Sequence, residues 1–399
     1  MVPGTPFHER INELNQTGIW SHWAGYLVAE RYQLSEKFEY FAIRNSAGIF
    51  DTSPLYKYRI QGRDAERFLA GVLARDIRKC RPGRAQYTMW CDDAGYVIED
   101  GVVFRLSDNE FFVTAAEPNL SYLQDLIGYA QVEIEDVSGQ LGALALQGPR
   151  SRQILSQLTP DISDLGYFRH TSTKIGNTPV MVSRTGYTGD LGYEMWIPAA
   201  DAVAVWDHVM EASAGHGVAP FGQVALLMTR IEAGLILIGA DFQSSRYGWH
   251  EAEKVTPLEL SYGWMFKDLA SDDRAFIGRR AIERELADQT SRWKMVGVMI
   301  DWKDWDRVHN SRGLIAPKDH IPVPWETMLY DEDHAWAGFA SSLMYSPMCQ
   351  RYIGIARVLP HLAAQGTPLQ MEVTLHHRYD TVAANVAPLP FFNPERKTA

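Results

Sequence analysis

Three stretches of the chain carry side chains able to do chemistry. In Gly95-Tyr-Val-Ile-Glu-Asp-Gly-Val-Val-Phe104, the carboxylate of Asp100 follows the apolar pair Val97-Ile98. A carboxylate on such a strand can hold a ligand nitrogen and take part in proton transfer. The plainer alternative is a surface or turn aspartate. Its neighbour Glu99 falls on the opposite face of a regular strand and is the weaker candidate. In Ser183-Arg-Thr-Gly-Tyr-Thr-Gly-Asp-Leu-Gly-Tyr-Glu194, a glycine-rich loop leads to Glu194, a carboxylate suited to accepting paired donors. Its alternative is a glutamate on a strand surface. In Gln243-Ser-Ser-Arg-Tyr-Gly-Trp-His-Glu251, the residues Arg246, Tyr247, Trp249 and His250 crowd together. An arginine pairs with a substrate carboxylate, and a histidine titrates near neutral pH. A solvated loop would leave all four idle.

The elements that must position these groups read as an α+β pattern. Residues 1–50 are helix-rich, with Gly48 as the expected stop. Tyr56 to Ile60 alternates like a strand, and Asp64 can cap a helix with Phe68, Leu69, Val72 and Leu73 on one face. Val97 to Phe104 and Phe111 to Ala115 form a hairpin with a longer loop. Leu144 to Gly148 is a strand, and Pro149 stands where a helix can start. Val180 to Arg184 and Tyr193 to Ile197 are strands around the glycine-rich turn. Helices follow from Asp201 to near Gly215 and from Val224 to Leu237. Lys294 to Ile300 and Met371 to Leu375 are short strands of a small barrel or sandwich, and Asp301 to Pro324 reads as loop.

Composition narrows the function. The 399 residues allow two or three domains, and a net charge of −11 argues against a general nucleic-acid binder. Cys80, Cys91 and Cys349 form no C-x-x-C pair, which suits a reducing, cytoplasmic setting. No apolar run suggests a signal peptide or a membrane span. The 12 Trp, 18 Tyr and 16 Phe fill cores and also suit a pocket for flat rings. There is no Walker loop, G-x-G-x-x-G, H-E-x-x-H or G-x-S-x-G elbow. His376 and His377 would point to opposite faces of a strand, so no metal site is expected.

Taken in order, the strings 95–104, Leu146-Gln-Gly-Pro149, 183–194, Arg230-Ile-Glu-Ala-Gly234, Pro257-Leu-Glu259 and Phe276-Ile-Gly-Arg279 resemble the glycine-cleavage T-protein family and its demethylase relatives. The resemblance implies a three-lobed cloverleaf holding tetrahydrofolate. Its first domain would join 1–53 with 141–270, its second would span 54–140, and a C-terminal β-barrel would span 271–399. Asp100 then falls on the family's catalytic or folate-facing aspartate. Glu194 falls on the glutamate that meets the pterin edge. Tyr187, Tyr87 and Tyr167 (or its neighbour Phe168) fall on tyrosines near the folate.

Departures from the pattern point to a changed donor. Leu226 and Leu227 stand where the family carries Arg and Asp, and Pro54 and Leu55 replace a usual His-Met. The expected reaction is demethylation of a small methylated molecule, with an aryl methyl ether carboxylate as the leading donor, giving 5-methyltetrahydrofolate. His250 or Tyr247 would protonate the leaving group, while Arg246, Trp249 and Leu55 would bind the donor. A sulfonium or methylated-amine demethylase, a true aminomethyltransferase and a non-catalytic folate-binding protein remain alternatives. No protein partner is identified.

Overall fold

The computed structural model describes residues 2–271 and 273–399; Met1 and Asp272 lie outside it. Its α+β architecture is built on three large sheets.

The first sheet runs in the order His170–Ile175, Thr178–Ser183, Gly192–Pro198, Leu141–Gln147, Gly48–Asp51, Ala219–Pro220. All its pairings are antiparallel except the last. Leu144, Leu146, Val182, Tyr193 and Met195 point from it into a core closed by two helices, Ser151–Leu158 and Ala202–Ala212. Val205, Trp206 and Val209 share one face of the second helix at i, i+1 and i+4 spacing, which presents an apolar stripe to the sheet.

The second sheet is antiparallel, in the order Arg84–Cys91, Val97–Ser107, Glu110–Ala115, Tyr56–Gln61, Glu133–Asp136. Phe68, Leu69 and Val72 of the helix Ala65–Val72 pack on Tyr58, Trp90 and Val113. The third sheet closes into a barrel: Lys294–Ile300, Arg351–Val358, Trp336–Ser346, Thr327–Tyr330, Pro368–Leu375, Arg378–Ala387. Closure leaves no free edge, and Val298, Leu329, Ala356 and Val382 fill the interior.

Several local expectations change. The first long helix, Glu36–Asn45, ends before Gly48, which opens a buried strand instead. The helix expected to reach Leu237 stops at Glu232, because Gly234 turns the chain with φ +63°. Pro149 lies in a turn, and its helix begins at Ser151. The hairpin loop shrinks to Asp108 and Asn109. Asp301–Pro324 contains a helix, Trp302–Ser311, whose N-cap Asp301 accepts from Asp304 N. His376 and His377 are the positive-φ turn of a hairpin rather than strand residues. Among the described residues no His/Cys/Asp/Glu cluster suits a metal, and no helix is long and apolar enough to cross a membrane.

Candidate functional site

Strand register creates the centre of the site. Tyr87 pairs with Val102 and Met89 pairs with Asp100, so Tyr87 and Asp100 are diagonal neighbours on one face. The Tyr87 hydroxyl donates to Asp100 Oδ2 at 2.8 Å. Gly101 lets the next strand approach, since a Cβ there would meet Thr114 O at 2.0 Å. The face bearing Asp100 is covered by the segment after the helix Gln223–Glu232, where Met89 packs with Ile236, Phe242 and Leu258. Tyr262 comes from this cover, its ring 5.4 Å from that of Tyr87. The Arg75 guanidinium lies over Trp264 and donates to Tyr87 O.

Desolvation holds the Asp100 carboxyl above the usual carboxylate range, opposed by the Tyr87 hydrogen bond. Burial also pushes the phenols of Tyr87, Tyr262 and Tyr187 up, and the charge of Asp100 adds to all three. Tyr187 donates to Ile236 O and feels Arg230, Asp100 and Asp241, so it belongs to the same group. Arg230 is committed elsewhere: it donates to Asp241 Oδ2 at 2.5 Å and to Ser342 Oγ at 2.7 Å.

Glu99 sits on the opposite face, fully buried, where it accepts from Glu117 N at 2.8 Å and Asn119 Nδ2 at 3.4 Å. No cation pairs with it among the described residues. Burial, reinforced by the charge of Asp100, raises its carboxyl above the usual range, opposed by the N–H groups of Asp100 and Glu117.

Glu194 is carried by the strand Gly192–Pro198. It lies opposite Ser183 and Ala145 in the first sheet, and its Oε2 accepts from Thr185 Oγ1. Burial raises its carboxyl as well. The preceding loop is pinned from two sides. Gln147 fills the space against Gly186 and Gly192, where a Cβ would come within 1.9 Å and 2.3 Å of its Oε1. Its Nε2 donates to Thr185 O and Tyr193 O. From behind, Arg396 grips Asp190 through two bonds of 2.7 and 2.8 Å. This explains why Gln-Gly-Pro and the glycine-rich string belong together.

The remaining candidates lie elsewhere. Tyr167 is exposed and packs edge-on against Phe168. Leu55 is half-buried beside Phe104 and Trp196, and its loop is tied by the buried Lys57, whose Nζ donates to Ser53 O and Leu55 O. Desolvation lowers Lys57 to about 8. Arg246, Tyr247, Trp249 and His250 are all exposed, Trp249 at 90 %. Arg246 stacks near Tyr122 and Tyr247 and donates to Pro118 O. Thus the structure gathers Asp100, Tyr87 and Tyr187, adds Tyr262 and Asp241, and leaves the 243–251 side chains at the surface. Sequence reasoning missed Tyr262 and Asp241. The signals available were Tyr262's place just after Pro257-Leu-Glu259 and Asp241's place soon after Arg230-Ile-Glu-Ala-Gly234.

The family model described as the GCVT N-terminal domain matches residues 7–267. The gamma subunit of a heme-dependent oxidative N-demethylase from Ectopseudomonas mendocina is 33% identical over 378 residues, covering 94% of this chain and 92% of that one. An aminomethyltransferase from Geobacillus kaustophilus is 31% identical over 365 residues, covering 90% of each. In fold, the chain is similar to the glycine cleavage system aminomethyltransferase T of Bartonella henselae, with a TM-score of 0.82, 20% identity, and coverage of 98% of this chain and 99% of that one. The donor set suits tetrahydrofolate. Glu194 Oε1 makes no bond within the described chain and can accept from a pterin's aminopyrimidine edge, while the tyrosines offer flat apolar walls. The chain belongs to the GCVT family of tetrahydrofolate-dependent, aminomethyltransferase-like one-carbon transferases.

Proposed function

We propose that this protein moves a methyl group from a small methylated amine to tetrahydrofolate, with Asp100 handling the proton. The observation that carries this reading is the makeup of the Asp100 group. A carboxyl stands among the phenols of Tyr87, Tyr262 and Tyr187, and the nearby guanidinium of Arg230 is bound to Asp241. Such surroundings attract a cationic methylated nitrogen through aromatic faces and carboxylate charge. A cationic amine leaves as a neutral molecule and needs no acid.

Tetrahydrofolate, when bound, supplies the N5 amine that accepts the methyl group. Asp100 takes the proton released from that nitrogen as the donor's C–N bond breaks and its electron pair stays on the amine. Glu194 holds the pterin edge, and Tyr87 fixes the Asp100 carboxylate. The name of the Ectopseudomonas relative, an N-demethylase subunit, supports a nitrogen donor. Leu226 and Leu227, in place of the family's charged pair, support a donor other than the carrier of an aminomethyltransferase. The three free cysteines suit a cytoplasmic setting.

Demethylation of an aryl methyl ether carboxylate is the second reading. It requires an acid at the departing oxygen. Tyr247 and His250 are exposed, so that role passes to the raised Asp100 carboxyl, which keeps the ether in play.

Anaerobic incubation with tetrahydrofolate tests both readings, with 5-methyltetrahydrofolate read by chromatography. The donor panel holds methylated amines, a sulfonium acid, methoxybenzoates and a lipoyl-carrier aminomethyl donor. Product from an amine is expected. Product from a methoxybenzoate alone replaces the amine reading with the ether. Folate binding without product from any donor sinks the enzyme reading.

A further inference from the structure

Arg357 lies on the barrel strand Arg351–Val358, opposite Phe339 on one neighbour and Met295 on the other. Alternation puts it on the outer face. Ala356 and Val358 fill the barrel, whereas Ile355 faces out against Ile236, Phe242 and Leu258, which also pack on Met89 of the Asp100 face. Ser341 and Ser342 hold Asp241 to the barrel, both donating to its Oδ1. Arg357 and Asp100 both feel the charge of Asp241. Arg357 therefore borders the Asp100 site from the barrel side.

Its state is unusual. The residue is 7% exposed and its guanidinium rests 4.6 Å from the centre of the Phe339 ring. Among the described residues its guanidinium has no hydrogen bond and no ion pair, and its Nε is buried without a partner. The other buried arginines differ. Arg44 is bound to Glu232, Arg105 to Glu66, Arg230 to Asp241, and Arg184 and Arg274 to backbone carbonyls. The carboxylates that Arg357 feels are Glu326, Asp241 and Glu259. Asp241 is held by Arg230 and the two serines, Glu259 by Arg292, and Glu326 is exposed. A buried cation without a partner is costly, and a planar guanidinium is shaped to take a carboxylate through two parallel bonds.

We propose that Arg357 binds a carboxylate carried by a ligand of the Asp100 site, either the methyl donor or the glutamyl tail of the folate. This rests on the reading of Asp100 as the reaction centre. With a carboxylate on Arg357 and a methylated nitrogen beside Asp100, the donor would be an N-methylated amino acid. The glutamyl source leaves the donor uncharged at that end.

Calorimetric titration of the whole protein, with Arg357→Met and Arg357→Lys beside it, tests the idea. The folate probes are 5-formyltetrahydrofolate, which carries the glutamate, and 6-methyltetrahydropterin, which lacks it. The donor probes are trimethylglycine and choline, which differ in the carboxylate. Arg357→Met is expected to raise Kd roughly ten- to a hundredfold for the carboxylate-bearing member of one pair, and to leave its partner within about twofold. Arg357→Lys recovers part of the loss. An effect confined to the folate pair assigns the tail, and one confined to the donor pair assigns the donor. Without ligand, Arg357→Met should melt at or above the wild-type temperature, because an unpaired buried charge is replaced by an apolar chain. Unchanged folate affinity together with no donor difference, including a wild type that binds no trimethylglycine, overturns the proposal. Binding is read without turnover, so a failed methyl-transfer assay removes the amine reading and leaves this result interpretable.

Discussion

The strands that carry Tyr87 and Asp100 differ in kind from the segment that carries Arg246, Tyr247, Trp249 and His250. Tyr87 and Asp100 are placed by eight register pairs between two strands, on a face covered by Ile236, Phe242 and Tyr262. The 243–251 segment is anchored at its base by Ser245 N to Val97 O, and its tip presents Tyr247 at 56 % and Trp249 at 90 % exposure. Both regions are rich in groups able to do chemistry. Only the first half-buries them, and it is this partial loss of water that raises Asp100 and strengthens its hydrogen bond. Residue type shows what chemistry is possible; enclosure shows where it can occur.

Substitutions that break this contrast should do so in graded steps. Asp100→Asn keeps the shape and removes the proton acceptor, so methyl-folate formation should fall about 10²- to 10⁴-fold in a turnover assay. Glu194→Gln exchanges one acceptor for a donor at the pterin edge. Folate Kd by calorimetry should rise roughly tenfold, with a smaller change in kcat. Tyr87→Phe removes a hydrogen bond that stabilises the ionised form of Asp100. Activity should fall a few-fold, and the acid limb of kcat against pH should move to higher pH. Glu99 tests the far face of the same strand. Its folded-state proton affinity is raised, so its contribution to stability is complete below the ordinary carboxylate pKa of about 4.3 and is lost as pH rises through the raised value. Glu99→Gln should flatten that dependence and raise Tm at pH 8.5 by roughly 2–4 °C. The smallest effect belongs to the surface segment, where Tyr247→Phe and His250→Ala should leave kcat within about twofold.

Much of this was legible in the sequence, for a physical reason. The strand period of two placed Asp100 and Glu99 on opposite faces before any contact was known, and the structure puts them there. The apolar runs 294–300 and 371–375 fall on barrel strands, the second of which begins earlier, at Pro368. Periodicity carries no information about which distant segment covers a strand face. Tyr262 and Asp241 reach the site through packing that spans the chain, so they went unnoticed. The exposure of Arg246 to His250 follows from where one loop tip ends, which local pattern does not encode. Gly48 reads as a helix stop, but Ile49 and Phe50 beside it join a buried strand paired with Leu141–Gln147, a partner that lies far along the chain.

In the proposed reaction Asp100, and not His250, handles the proton. The most direct test is the pH dependence of single-turnover methyl transfer in wild type, Asp100→Asn and His250→Ala. The predicted result is an acid limb above the ordinary carboxylate range in wild type, retained in His250→Ala and absent from the residual activity of Asp100→Asn. A limb that survives in Asp100→Asn and disappears in His250→Ala would contradict it.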